Sequence, residues 1–236
     1  MKPVIVTTSW DDSHVLDLRL ATLLKKYGIK GTFYISPNNR EIPVEKRLTD
    51  GQIQELACDF DIGAHTMTHP RLPQVPDEEA QLEISDSRTY LQQVTGQPVT
   101  TFCYPRGEYL PKHVAMVQRA GFSYARTTNR HVFGKSPLLE SATTIHCYDH
   151  WSDVIKVAVF ARFNPKKFLR FYRKWDILAV AMLDKVLSEG GTFHLWGHSW
   201  EIDTNGDWER LERVLRAIAG RSGVRYGSNS DLVSLS

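Results

Sequence analysis

The chain has 236 residues, 42% of them hydrophobic and 24% charged, and its 29 Lys and Arg against 27 Asp and Glu leave a net charge of +2. At ~150 residues per domain this length suits one large domain or two small ones, and a composition near the globular average excludes disorder, collagen and coiled coil. The balanced charge makes no global case for nucleic acid, and no stretch approaches the ~20 apolar residues of a membrane span.

Pro3 to Trp10 is β-branched and ends in polar residues, as a buried strand does at its exit. Val15, Leu16, Leu20, Leu23 and Leu24 then recur at helical spacing, with Gly28 as the expected C-cap. Gly31 to Ser36 predicts a second strand, and the segment from Thr49 to Ala57 a helix capped by Thr49. DIGAHT (61–66) predicts the third strand, and a long helix from about Asp77 to Val94 stops at Gly96. TTFCYP, PKHVAMVQRAG and SYARTT continue the strand–helix–strand rhythm up to Thr128. Beyond Thr143 the pattern loosens. TTIHCY reads as a strand, Val154 to Glu189 as helix interrupted at Asn164-Pro165, TFHLWGH as a late strand, and DWERLERVLRAIA as a helix before VRYGS. Alternation of this kind implies βα units around a parallel sheet, and seven or so units in one chain fit a barrel better than an open sheet. The expected class is α/β, a single barrel domain over residues 1–236, with a basic, aromatic helical segment at about 153–189.

The N-terminus lacks the apolar run of a signal peptide. Cys58, Cys103 and Cys147 form no CxxC pair and read as reduced, buried residues. These features together suggest a soluble, cytoplasmic protein.

Polar residues of interest gather where strands end, which is where βα barrels assemble their sites. Asp11 and Asp12 close the first strand; side chains there diverge, so one carboxylate can bind a cation while the other takes a proton. A helix N-cap with an acidic first turn is the plainer reading of the pair. His65 and His69, four apart in AHTMTHP, can share one face of a helical turn and converge on one ion, and zinc takes two such histidines with a carboxylate while leaving a position open. His198, at the end of FHLWGHSW, is placed to donate a proton, whereas His194 lies deeper and reads as a core histidine. Trp196 and Trp200 are candidate pocket walls, with aromatic core as the default. A metal, a carboxylate base and a histidine acid suit metal-assisted hydrolysis of a carbonyl compound.

These motifs resemble those of the polysaccharide deacetylases, carbohydrate esterase family four, which carry the NodB-homology domain. Ser9-Trp10-Asp11-Asp12-Ser13 matches the first motif, His65-Thr66-Met67-Thr68-His69 the second, Pro105-Arg106-Gly107 the end of the third, and Leu195-Trp196-Gly197-His198 the fifth. The resemblance implies a distorted (β/α)7 barrel. It implies Asp11 as general base, His198 as general acid, and Asp12, His65 and His69 as ligands of one divalent metal, zinc first, with cobalt, manganese or nickel as alternatives. It implies too that the Arg106 backbone N–H holds the oxyanion and that Tyr104, Arg106, Trp196 and Trp200 meet the substrate. The chain departs from the pattern at three places. Ser13 replaces a glycine, Cys103 stands where many members have an arginine bracing the catalytic aspartate, and the fourth motif has only Asp149-His150-Trp151 as a weak match. The implied activity is removal of an N-acetyl group from an amino-sugar glycan or glycan precursor, with an N-acylated sugar, nucleotide- or lipid-linked, as partner. The alternatives are hydrolysis of a cyclic amide or ureide, and a catalytically silent sugar-binding barrel.

Val154 to Trp175 holds seven basic residues (Lys156, Arg162, Lys166, Lys167, Arg170, Arg173, Lys174), no acidic one, and interleaved aromatics. That pattern suits peripheral contact with an anionic membrane. The plainer reading is an outer barrel helix that buries its aromatics and turns its lysines to water, and a basic rim attracting a phosphate-bearing sugar would be a third use.

Overall fold

The structure, a computed structural model, describes residues 3–134 and 136–234. Its centre is β1 (Val4–Asp11), VIVTTSWD, buried at every position. A strand covered on both faces needs no alternation of apolar and polar residues, which is why this run reads as continuous. Around it the chain lays down α1 (Asp17–Lys26), β2 (Thr32–Ile35), α2 (Asp50–Ala57), β3 (Asp61–Ala64), α3 (Asp77–Thr95), β4 (Thr101–Cys103), α4 (Pro111–Arg119) and β5 (Tyr124–Arg126). The second half holds β6 (Ile145–His146), α5 (Val154–Phe160), α6 (Pro165–Phe171), α7 (Trp175–Glu189), β7 (Gly191–Gly197), α8 (Ser199–Thr204), α9 (Trp208–Ile218) and β8 (Val224–Tyr226).

Every strand pair is parallel, in the order β5-β4-β3-β2-β1-β7-β6. The two halves of β1 have different neighbours: β8 pairs Val4 to Val6, and β2 pairs Ser9 to Asp11. Closure between the outer strands is made by residues 141–146. Ser141 bridges to Arg126 of β5, and the Thr144 N–H donates to the His194 carbonyl of β7. The result is the expected distorted (β/α)7 barrel, curled around a polar interior. Ser9, Asp11, Arg126 and His194 are linked inside it, while Val6, Trp10, Phe33 and Phe102 belong to the apolar layer packed by the helices.

Local signals place the helix ends. Thr49 caps α2 in a reciprocal capping box with Gln52, and Gly96 ends α3 in the left-handed conformation that glycine adopts without steric cost. The segment expected as one helix with one interruption has two. Asn164 caps α6 by accepting from the Lys167 N–H, and the chain breaks again at Arg173, whose φ is 55°. α8, directly behind β7, was not anticipated. Cys58 is exposed rather than buried, while Cys103 and Cys147 are buried, and all three are free thiols.

Candidate metal and catalytic site

Asp11 is the last residue of β1, so its side chain stands at the C-terminal mouth of the barrel. The backbone then turns through two left-handed residues, Asp12 (φ 81°) and Ser13 (φ 63°). Ser13 thus keeps the conformation a glycine would adopt, at a cost of about 1 kcal/mol. Its hydroxyl offsets that cost by bridging to β2, accepting from the Ser36 N–H at 2.6 Å and donating to the Ser36 carbonyl at 3.2 Å.

The turn sends the two carboxylates apart. Asp11 Oδ2 accepts a hydrogen bond from the guanidinium of Arg126, which is fully buried, and Cys103 Sγ lies 3.8 Å from the same oxygen. Asp11 Oδ1 is buried with no hydrogen-bond partner among the described residues. Burial by itself would raise this carboxyl; the charge of Arg126, with His65 and His198, overcomes burial and lowers it to about 2.

Asp12 faces the other way. Its Oδ2 accepts from Trp200 Nε1 at 3.0 Å, and its Oδ1 lies 3.4 Å from His69 Nε2 and 3.7 Å from His65 Nε2. His65 Nδ1 is 2.7 Å from the Cys103 carbonyl, which can only accept, so the proton sits on Nδ1 and the lone pair of Nε2 points at Asp12. Burial, reinforced by His69, lowers the His65 imidazole to about 4, so it is neutral at pH 7 despite the two nearby aspartates. Asp12 Oδ1 has no hydrogen-bond partner among the described residues. A buried carboxylate oxygen facing an imidazole lone pair is repulsive unless a cation lies between them. The donor set of two imidazoles and one carboxylate therefore fits a divalent ion of the zinc class.

The two histidines do not share a helical turn. Residues 65–69 form a bent loop with Thr66 at φ 64° and His69 at φ 62°. Buried Glu83 of α3 holds it, accepting from the N–H groups of Met67 and Thr68, each at 2.8 Å, and from the Thr68 hydroxyl at 2.6 Å. Glu41 approaches from outside, 3.4 Å from His69 Nδ1 and ion-paired with Arg106.

His198 follows β7 immediately. Its Nε2 lies 3.7 Å from Asp12 Oδ2 and 4.0 Å from Asp11 Oδ2, and its Nδ1 is 3.0 Å from Glu201 of α8. Burial opposes the imidazolium; Asp12, Glu201 and Asp11 together outweigh it and lift His198 to about 9. Glu201 also lies 3.0 Å from His146 Nε2, and His146 Nδ1 is 2.8 Å from His150 Nε2, so a chain of polar contacts runs outward behind His198.

Several expected residues serve differently. The bracing arginine is present, but on the neighbouring strand: Arg126 is the registered partner of Cys103 across β4 and β5. Its guanidinium lies over Trp196 at 4.5 Å and Tyr34 at 5.4 Å. Trp196, buried between Arg126 and His146, therefore backs the bracing group rather than lining a pocket. Tyr104 is buried as well, bonded to the Leu139 carbonyl at 2.9 Å and stacked on Tyr109. Trp200 is half-buried, orients Asp12, and walls a cleft of about 440 Å³ shared with His14, Lys46 and Asp203. Arg106 adopts φ 58° in a tight turn whose own bonds run from Gly107 N–H and Glu108 N–H, leaving the Arg106 N–H outside them. Gly107 is required there, since a Cβ would stand 2.0 Å from Thr128 Oγ1. Asp149-His150-Trp151 is no fourth motif: Asp149 pairs with Arg210, and Trp151 is 67% exposed. His194 is the core histidine expected, 2.8 Å from Ser9 Oγ. Arg126, Glu83 and Glu201 were not anticipated. The one available signal was an arginine within a segment that reads as a barrel strand, SYARTT, where burial demands a partner.

The fold and this rim define a (β/α)-barrel that gathers two aspartates and three histidines at the C-terminal ends of its strands. The family described as polysaccharide deacetylase matches residues 2–125, and the chain belongs to that family. The chain is 29% identical over 129 residues to YxkH of Bacillus subtilis (strain 168), itself assigned to the polysaccharide deacetylases; the match covers 54% of this chain and 45% of YxkH. The Streptococcus pyogenes deacetylase PplD, solved with acetate, is 26% identical with a TM-score of 0.54 over 58% of this chain and 62% of that one. A Mycobacterium smegmatis structure named for the same family, 15% identical, superposes along 99% of this chain and 90% of its own with a TM-score of 0.71. The likeness in fold therefore extends well beyond the half of the chain where sequence similarity is detected.

Proposed function

We propose that this chain is a metal-dependent hydrolase that removes the N-acetyl group from an amino-sugar-containing glycan or glycan precursor. The observation that carries the reading is the division of labour between adjacent aspartates: Asp11 is held by Arg126 with one oxygen free, and Asp12 turns an unpartnered oxygen toward two imidazoles. Asp12, His65 and His69 would hold one divalent ion, zinc first, and that ion, when bound, supplies polarisation of the acyl carbonyl and a lowered pKa for water.

The chain's own groups do the rest. Asp11 Oδ1 takes the proton of the attacking water, and Arg126 keeps that carboxylate ionised and aimed. The Arg106 N–H donates to the oxygen that gains charge as the carbonyl becomes tetrahedral. His198, fixed by Glu201 through Nδ1, gives its Nε2 proton to the departing amine nitrogen as the C–N bond breaks, so acetate and a free amine leave. Trp200 and the cleft beside it offer an aromatic wall for a sugar ring.

The test is acetate release from N-acetylated amino sugars, sugar nucleotides and oligosaccharides, with metal content read in parallel. Asp11→Asn should retain metal and lose ~100- to ~10,000-fold in turnover, the range of general base catalysis. Asp12→Asn and His65→Ala should lose the metal itself. Ring opening of cyclic amides without acetate release, or metal that survives both of those substitutions, would overturn the assignment.

A further inference from the structure

The exposed apolar surface of this protein is concentrated in one place. Of eleven large hydrophobic side chains exposed among the described residues, seven lie between Tyr148 and Leu169. Phe163 is 75% exposed, Ile155 73%, Leu169 70% and Trp151 67%. These are not the faces by which α5 and α6 pack. Val157, Ala161 and Phe171 are buried, and Phe160 packs on Phe133 and Phe171, so the two helices already have an apolar side turned inward. Their outward side is apolar as well, which a helix bathed only in water has no reason to be. Phe163 stands on the turn between them, where it and Arg162 both adopt left-handed backbone, a conformation that side chains other than glycine and asparagine seldom take.

The charge on this face has one sign. All seven Lys and Arg of residues 154–175 are exposed, and the stretch contains no acidic residue. None of the seven is ion-paired with a carboxylate among the described residues; Arg173 lies instead over the ring of Trp151 at 3.6 Å. Apolar side chains that project between unpaired cations match a surface with anionic headgroups above hydrocarbon. No helix among the described residues is long and apolar enough to cross a membrane, so such contact is peripheral.

We propose that the outer face of α5 and α6, with Trp151, is a docking surface for an anionic lipid bilayer. The face follows β6, whose His146 lies edge-on to His198, so docking through it would hold the mouth of the barrel beside the headgroups. This inference does not depend on the reaction proposed above.

The test is co-sedimentation of the full chain with vesicles of equal parts phosphatidylglycerol and phosphatidylcholine, and with phosphatidylcholine alone, at low and high salt. Binding is expected to the anionic vesicles at low salt and to fade as salt rises. Each cation near such a surface is worth about fivefold in partition, so Lys166→Glu/Lys167→Glu/Arg170→Glu should weaken binding by at least ~100-fold. Phe163→Ser/Leu169→Ser should weaken it at both salt levels. All five positions are exposed, so circular dichroism and the melting temperature should stay at wild-type values in both variants. Absence of binding to anionic vesicles at low salt, or binding unchanged by the charge reversal, overturns the proposal. So does concentration-dependent self-association abolished by Phe163→Ser/Leu169→Ser without vesicle binding, which would assign the face to a second copy of the chain.

Discussion

Replacing Arg126 with methionine isolates the device that prepares Asp11. Arg126 is fully buried and its partner carboxylate nearly so, and the side chain is held by Asp11 on one side and the faces of Trp196 and Tyr34 on others. Methionine keeps most of the volume and removes the charge, leaving a buried carboxylate without its counter-ion. Losing one partner of such a pair costs about 3–5 kcal/mol, whereas replacing both is often neutral. Arg126→Met should therefore lower the unfolding free energy in urea by about that amount at pH 7, with an unchanged m-value. Arg126→Met/Asp11→Asn should recover most of the loss. The penalty should be pH-dependent with a definite sign. In the native protein Asp11 is lowered from 3.8 to about 2, a difference of about 2 kcal/mol of stability present above pH 4 and lost as pH falls through about 2. In the variant, burial is the main influence left on Asp11, its carboxyl rises, and the two proteins should converge in stability toward pH 2. A single variant that loses less than about 1 kcal/mol at pH 7, or a double variant no more stable than the single, would refute the idea that Arg126 stabilises an ionised, buried Asp11.

Other expectations follow from the same geometry. Glu201→Gln should lower turnover by about 10- to 100-fold and move the alkaline limb of the pH–rate profile to lower pH, because Glu201 helps hold the His198 proton. Metal content should not change, because Glu201 touches His198 Nδ1 rather than the proposed ligands Asp12, His65 and His69. Asp17 behaves oppositely to Asp11: it is fully buried, and burial, opposed by the Ser199 hydroxyl and reinforced by the nearby Asp12 and Asp11, raises its pKa well above 3.8. A raised carboxyl contributes stability below its unfolded pKa and loses it as pH rises through the folded one. Asp17→Asn should therefore match wild type near pH 3 and exceed it increasingly at neutral and alkaline pH, read by urea unfolding. Arg210→Met should destabilise the packing of α7 on α9, since Arg210 alone joins Asp149, Asp176 and Asp207; hydrogen exchange of α9 should rise ahead of that of β1.

Much of this protein is determined by nearest-neighbour physics that the sequence displays by itself. The strand–helix rhythm, the Thr49 and Gly96 caps and the strand ends that carry Asp11, His65 and His198 all depend on residues a few positions apart. The C-terminal rim of a parallel barrel then gathers those ends whatever the details. The tertiary structure alone decided which group meets which. Cys103 sits where a bracing arginine was expected, yet the pleat sets Arg126 in register beside it on β5, so one strand's loss is met by its neighbour. Glu83 reaches the loop of His65 and His69 from sixteen residues away, Trp196 is buried against Arg126 and His146, and Tyr104 is buried against Phe102 and Tyr109. The α5–α6 face shows the same division: its charge and aromatic content are legible in the chain, but which aromatics pack inward and which face out depends on α7 and Phe133 behind them. Burial and partner choice are properties of contacts between distant residues, and no local pattern encodes them.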